Sequence, residues 1–331
     1  MIASNTLTDT GLPRTPCYLN GDYTVLAEAK VSVLDRGFIF GDGVYEVLPV
    51  YGGKPFRFEQ HMARLTRSLA ELRMTNPHTP AEWLAIAMQL IANYDLFMLA
   101  TPGNSSKTEV STALAASNQL IYIQVTRGVA MRDHVMPQNI TPTVFVMTNP
   151  MKPPSAAQRA QGVACVTAHD FRWEKAHIKT VSLLGAVFSR QISFDADAVE
   201  TVMFRADAQG EFLSEAAASN VWVVQGGTLL GPPKDNLVLE GIRYGLIEEI
   251  CRAVGIPFAL RRISRAEVLA ADELLLTSAT KEVLAITTLD GQPVGHGAKA
   301  GTPGPVYAAL HAGYQAAKQK AAQKTAQKAS V

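Results

Sequence analysis

One lysine in this sequence stands where an amine could be shielded from water. In Phe171-Arg172-Trp173-Glu174-Lys175-Ala176-His177-Ile178-Lys179-Thr180-Val181, Lys179 lies among β-branched residues just ahead of an apolar helical stretch. A dehydrated amine holds its proton less tightly and attacks carbonyl carbon, so the chemistry on offer is condensation with an aldehyde. The same position suits an ordinary solvated lysine at a strand end. A second cluster, Leu213-Ser214-Glu215-Ala216-Ala217-Ala218-Ser219-Asn220-Val221-Trp222, sets an acid before small side chains that would let a flat ring lie against the backbone. Its plainer reading is a loop glutamate followed by an alanine-rich bend.

A third segment, Val125-Thr126-Arg127-Gly128-Val129-Ala130-Met131-Arg132-Asp133-His134, ends a strand in a loop carrying Arg132 and His134. That pair could grip a carboxylate through charge-assisted hydrogen bonds, or it could be a solvated basic loop. The glycines of Asp35-Arg36-Gly37-Phe38-Ile39-Phe40-Gly41-Asp42-Gly43-Val44-Tyr45-Glu46 suggest a dinucleotide fingerprint, but they lead into a β-branched run. A pyrophosphate cradle needs a helix N-terminus there, so that reading fails. None of the seven histidines forms a zinc pattern with another histidine or cysteine, so no metal is expected.

The elements that must position these groups fit two domains better than one. A chain of 331 residues, 47% hydrophobic and 18% charged, can bury a large core. Its formal net charge of +1 supplies no long-range field for nucleic acid or an anionic membrane, which leaves a small molecule as the partner. The three cysteines are widely and irregularly spaced, as expected in a reducing compartment. With neither a signal-peptide pattern at the N-terminus nor an unbroken apolar run of about 18 residues, the expected setting is the cytoplasm.

Short strands separated by turns are expected from Tyr18 to Arg57, with Val44 to Val50 rich in β-formers and Gly52-Gly53 marking a hairpin. Met62, Leu65, Leu69 and Leu72 recur at helical spacing between Glu59 and Met74, and a second helix is expected from Pro80 to Tyr94. Ala100 to Ser117 reads as a polar loop or surface excursion. Gln119 to Thr126 and Thr143 to Thr148 read as strands, and the proline-rich Asn149 to Pro154 suggests a boundary. Beyond it, strands near residues 162–168, 200–205, 220–224 and 273–277 alternate with helices near 183–194 and 242–254. This gives an N-terminal domain over 1–150, a C-terminal domain over 151–315 carrying Lys179, and an Ala/Lys/Gln tail over 316–331 that is frayed or disordered.

Taken together and in order, these segments resemble the class IV (fold type IV) pyridoxal-phosphate-dependent aminotransferases, and within them the D-amino-acid enzymes. Asp35 to Glu46, His61-Met62-Ala63-Arg64-Leu65, Gln124 to Gly128, Ile178-Lys179, Glu215 to Asn220, Leu239-Glu240-Gly241-Ile242 and Thr277-Ser278-Ala279-Thr280 carry the resemblance, which covers about Tyr18 to Gln315. It implies a mixed α+β and α/β two-domain fold with the cofactor at the domain interface. It further implies that Lys179 condenses with the cofactor aldehyde and moves the substrate proton, while Glu215 stands beside the pyridine nitrogen. Arg64, Ile242 with its neighbour Arg243, and Thr280 would hold the cofactor phosphate.

Tyr45, Arg132 and His134 match the carboxylate trap of the D-amino-acid enzymes, the last two coming from a neighbouring subunit, so the resemblance implies a homodimer with shared sites. The implied reaction is D-alanine plus 2-oxoglutarate giving pyruvate plus D-glutamate. Branched-chain L-amino-acid aminotransferases and aminodeoxychorismate lyases share the fold, and a noncatalytic scaffold is a third alternative. Arg243 in place of threonine, Ala217 and Ala218 in place of hydroxyl residues, and His177 in place of an acid depart from the family pattern.

Overall fold

The computed structural model describes residue 8, residues 11–100 and residues 118–323. The chain divides into two compact units, one comprising residues 1–152, 179–182 and 321–331, the other 153–178 and 183–320.

The first unit is built on six strands: β1 (Pro16–Leu19), β2 (Asp22–Val25), β3 (Gly43–Tyr51), β4 (Lys54–Pro55), β5 (Gln119–Thr126) and β6 (Thr143–Pro150). Their order is β2-β1-β6-β5-β3-β4 and every neighbouring pair is antiparallel. The β3–β4 hairpin turns at Gly52 and Gly53, both at positive φ, which side-chain-bearing residues rarely adopt. Val44, Leu48, Ile121, Ile123, Val125 and Val146 alternate along the strands and are fully buried or nearly so.

Among the described residues three helices accompany this sheet: α1 (Arg36–Phe40), α2 (Phe58–Glu71) and α3 (Pro80–Ala100). The apolar stripe read from the sequence is the buried face of α2, with Met62, Leu65 and Leu69 inward. Helix α3 outruns its expected end at Tyr94 because no glycine or proline follows before Pro102. By length and composition it could cross a membrane, yet Trp83, Ile86, Ala87, Leu90, Ile91 and Tyr94 are buried within the unit. The polar excursion expected up to Ser117 lies, past Ala100, outside the described residues.

The second unit holds β7 (Val163–His169), β8 (Glu200–Asp207), β9 (Gly210–Ala216), β10 (Asn220–Gln225), β11 (Thr228–Gly231), β12 (Phe258–Leu260), β13 (Glu273–Ser278), β14 (Glu282–Leu289) and β15 (Gln292–Pro293). Their order is β12-β11-β10-β13-β14-β7-β8-β9, with β15 on β14. The sheet is mixed: β14–β7, β7–β8 and β11–β12 are parallel. Its helices are α4 (Ala156–Gln161), α5 (Leu184–Asp195), α6 (Arg243–Val254), α7 (Arg265–Leu269) and α8 (Pro305–Gln323).

Three features of this unit differ from the sequence reading. Glu215 is on strand β9, not in a loop; the glutamates, serine and alanine of Gly210–Ala216 are poor β-formers and hide the strand. Strand β14 is absent from the sequence reading, since a short apolar run such as Glu282–Leu289 suits strand or helix equally. Helix α8 continues through residues 316–323 of the tail, and 324–331 lie outside the described residues.

Candidate active site

Lys179 belongs to the first unit and not, as the sequence division has it, to the C-terminal part. Its four-residue segment, 179–182, is stitched onto β3. The Lys179 carbonyl accepts from the Tyr45 amide at 2.9 Å, the Val181 amide donates to the Gly43 carbonyl at 3.0 Å, and Thr180 bridges Val44. The Lys179 amide reaches Ser68 Oγ at 3.3 Å, on the α2 turn that follows Arg64. The lysine is half-buried, less dry than the flanking β-branched residues suggest, and its Nζ lies 4.1 Å from the centre of the Tyr45 ring. A cation over a ring face is held without a counter-charge, so the amine has one preferred place but stays accessible. Tyr45 in turn stacks on Tyr122 with ring centres 5.7 Å apart.

Arg64 is fixed by a residue to which the sequence reading gives no role. Glu46 on β3 is fully buried and accepts from Arg64 Nε at 2.7 Å and Nη2 at 2.9 Å, while His61 Nδ1 lies 2.7 Å from the same carboxylate. Burial alone would push the Glu46 carboxyl upward, but the Arg64 charge and hydrogen bonds, with His61, hold it far below the usual carboxylate range. Glu46 is visible in the sequence as an acid inside a β-branched run, which calls for a buried cationic partner.

Arg132 and His134 come together, but around Phe40. The Arg132 guanidinium is 5.6 Å from the Phe40 ring centre and the His134 ring 5.4 Å from it, and both residues are exposed. Tyr45 is engaged by the Lys179 amine and the Tyr122 ring, whereas Arg132 and His134 share the Phe40 ring.

In the second unit, the Glu215 carboxylate is buried and held at both oxygens. Arg172 Nη1 donates to one at 2.7 Å and Asn220 Nδ2 to the other at 3.1 Å. Burial raises the proton affinity of Glu215 above the ordinary carboxylate level, outweighing the opposing pull of Arg172. Arg172 is itself locked by Asp170, which accepts from its Nε at 2.9 Å and Nη2 at 2.8 Å and also takes the Ser214 hydroxyl at 2.8 Å. Sequence reasoning gives Arg172 and Asn220 no role; both stand inside the segments that flag Lys179 and Glu215, Arg172 reaching Glu215 from 43 residues away and Asn220 from five.

From Asn220 a chain of contacts leads to the remaining residues. Asn220 Nδ2 donates to the Leu239 carbonyl at 3.0 Å, and a Cβ on Gly241 would lie 1.9 Å from Asn220 Oδ1. Ile242 is the N-cap of α6 and has no side-chain acceptor for the first-turn amides. Arg243 turns its buried side chain toward the Tyr314 ring, 5.2 Å away, with Nη2 3.4 Å from the Ala279 carbonyl. The guanidinium thus sits beside Ala279, next to Thr280, and the Arg243 backbone opens α6. Thr280 is half-buried in the β13–β14 turn beside Ala279.

The donor set suits pyridoxal phosphate. Each taken by itself, an amine over an aromatic ring in the first unit suits an aldehyde, and in the second unit a buried carboxylate of raised proton affinity suits a ring nitrogen and a helix N-terminus without a side-chain cap suits a phosphate.

The family model for class IV amino-transferases matches residues 43–289. Among curated proteins, the D-alanine aminotransferase of Bacillus licheniformis is 33% identical over 287 residues, covering 87% of this chain and 91% of its own length. That of Staphylococcus aureus (strain MSSA476) is 32% identical over 298 residues, covering 90% and 95%. Among solved structures, the branched-chain aminotransferase of the thermophilic archaeon Thermoproteus uzoniensis, solved with norvaline, superposes with a TM-score of 0.75 at 20% identity, covering 92% of this chain and 95% of that one. That likeness speaks for the fold. The match in sequence shows the family: the chain belongs to the class IV aminotransferases, the pyridoxal-phosphate-dependent transaminase family.

Proposed function

We propose that this enzyme transfers the amino group of D-amino acids to 2-oxo acids, with D-alanine plus 2-oxoglutarate giving pyruvate plus D-glutamate as the leading reaction. The single observation that carries the reading is the similarity, at 31–33% identity across most of the chain, to D-alanine aminotransferases. The Arg132–His134 pair adds chemistry suited to a carboxylate.

Pyridoxal phosphate, when bound, supplies the aldehyde that takes the amino group and the ring that draws electrons from the substrate Cα. The residues of this chain do the rest. Lys179 Nζ would hold the cofactor through that aldehyde and, when free, would carry the proton removed from Cα. Glu215, a buried acid in need of positive charge, keeps a proton on the ring nitrogen. Arg64, the Ile242 and Arg243 amides and the Thr280 hydroxyl hold the phosphate. Tyr45, with Arg132 and His134 of a second copy, orients the substrate carboxylate, and a fixed carboxylate above a one-sided base selects the D enantiomer.

A homodimer would let Arg132 and His134 of one copy serve the Tyr45 of the other. Val33, Phe38, Met131 and Val135 in the first unit are each more than 70% exposed, an apolar density expected of a surface that another chain covers. The buried, unpaired thiols suit a reducing, cytoplasmic setting.

Borohydride reduction of the cofactor-loaded protein should fix the cofactor mass to the peptide containing Lys179, and Lys179→Ala should lose transamination by several orders of magnitude. An adduct at Lys175, or a Lys179→Ala protein of native rate, would remove this assignment. Offered D-alanine, L-leucine and aminodeoxychorismate in parallel, the enzyme should turn over the first; activity confined to L-leucine or to aminodeoxychorismate would overturn the stereochemical or the transaminase reading respectively.

A further inference from the structure

The loop that presents Arg132 and His134 is mounted on α1 by a dense set of contacts, all within the first unit. The Arg36 amide donates to the Gly128 carbonyl at 2.9 Å, the Ala130 amide donates to the Leu34 carbonyl at 3.3 Å, and Asp35 bridges Val129. Gly128 has φ +100, and a Cβ there would lie 2.1 Å from the Thr141 carbonyl oxygen, so the loop leaves β5 along a path open only to glycine. The side chain of Arg36 then reaches further along the loop. It is 3% exposed, and its Nη1 donates to the Asp133 carbonyl at 2.6 Å, the residue between Arg132 and His134.

That guanidinium is itself held from behind. Arg36 Nε donates to Asp42 Oδ2 at 2.8 Å, and Arg127 forks onto both Asp42 oxygens at 2.7 and 3.0 Å while donating to the Leu72 carbonyl at 2.8 Å. Burial would raise the Asp42 carboxyl, but the two arginines outweigh it and keep it below its ordinary value, so it stays a carboxylate at neutral pH. In front, the Arg36 guanidinium lies 4.6 Å from the centre of the Phe40 ring, the same ring on which Arg132 and His134 converge. Phe40 is thus a shared platform for two cations and an imidazole, and Arg36 ties the ring to the loop backbone.

We propose that Arg36 and Phe40 are the positioning residues of the substrate-carboxylate pair: they do not touch substrate, but fix where Arg132 and His134 point. The inference rests on the trap assigned above to Arg132 and His134. Arg36 is required as an arginine, because its rigid fork meets Asp42 through Nε and Asp133 through Nη1; a lysine has three N–H donors but on a single nitrogen, which cannot reproduce that two-nitrogen spacing.

The test compares the first half-reaction of the holoenzyme with D-alanine and with D-alaninamide, which keeps the amine and replaces the carboxylate by a neutral amide. Arg36→Lys and Phe40→Leu should each reduce the D-alanine over D-alaninamide preference about tenfold, the scale of a misaligned charge-assisted bond, with the D-alaninamide rate nearly unchanged. In Arg36→Lys, amide hydrogen exchange across residues 128–136 should also accelerate. An equal fall with both donors would mean general damage, and an unchanged ratio would mean no positioning; either result overturns the proposal. Phe40 is only half-buried, so its leucine variant keeps the test open if Arg36→Lys fails to fold. Arg132→Ala is run alongside. A preference unaltered in Arg132→Ala sinks the trap itself, whereas a preference lost there but kept in Arg36→Lys and Phe40→Leu sinks only the positioning role.

Discussion

Glu46 is buried, so its ionisation and the place of Arg64 are one problem. Its carboxyl is ordinary in the unfolded chain, near 4.5, and strongly depressed in the fold. A depressed folded value means that the stabilisation is complete above the unfolded value and is lost as pH falls below it. Glu46→Gln should therefore lower stability at neutral pH by about 3–5 kcal/mol, the cost of leaving a buried cation without its partner. It should also make the loss of stability between pH 5 and pH 3 shallower than in the native enzyme, as urea midpoints measured across that range would show; an acid limb of equal steepness would defeat the idea. At this scale the sequence is a good guide to chemistry-bearing residues and a poor one to their partners. Lys179, Glu215 and Arg64 stand out by type and neighbours, whereas the bonds from Glu46 to Arg64, from Arg172 to Glu215 and from Arg36 to Asp133 join positions that periodicity does not connect.

Strands and helices act here as rulers. On α2, Arg64 and Ser68 are four residues apart, so one face of a single helix meets both the Glu46 carboxylate and the Lys179 amide. The approach of Gly241 to Asn220 sets a second spacing, between the start of α6 and the residue holding Glu215. Gly241→Ala should force Asn220 aside, freeing one Glu215 oxygen and shifting the α6 amides together. Cofactor affinity should then fall about tenfold or more, read by titrating the apoenzyme with pyridoxal phosphate. Unchanged affinity would show that the contact relaxes without reaching α6. Most of these elements are legible in the sequence, because β3, α2, β5 and α6 carry strong apolar patterns. Strand β9 is not, since its composition resembles a loop, and α3 runs past the end that its sequence suggests. In β9 tertiary burial overrides local propensity, whereas α3 continues because no glycine or proline stops it before Pro102.

Across the whole molecule, three free thiols report on the two units separately. Cys17 lies in the first unit, Cys165 and Cys251 in the second, and each is 0–1% exposed. Burial pushes their thiols up to about 11, 12 and 11 respectively, so reactive thiolate is scarce at neutral pH. An alkylating reagent at pH 8 should modify none of them in the native enzyme over a period that labels all three in urea. Labelling at intermediate urea, mapped by peptide mass, should identify which unit opens first. Rapid native labelling of any one of them would show that its surroundings are looser than the packing indicates.

The stitch that fastens Lys179 to β3 joins residues 137 positions apart, as Thr180 and Gly43 are. A ribosome releases β3 long before it makes the lysine, and during synthesis the early part of a chain folds first. An unfinished chain that stops short of residue 179 carries the six strands of the first unit yet lacks the lysine to which the proposed function assigns covalent capture of the coenzyme. On that proposal, charging with the coenzyme waits until translation has passed that point.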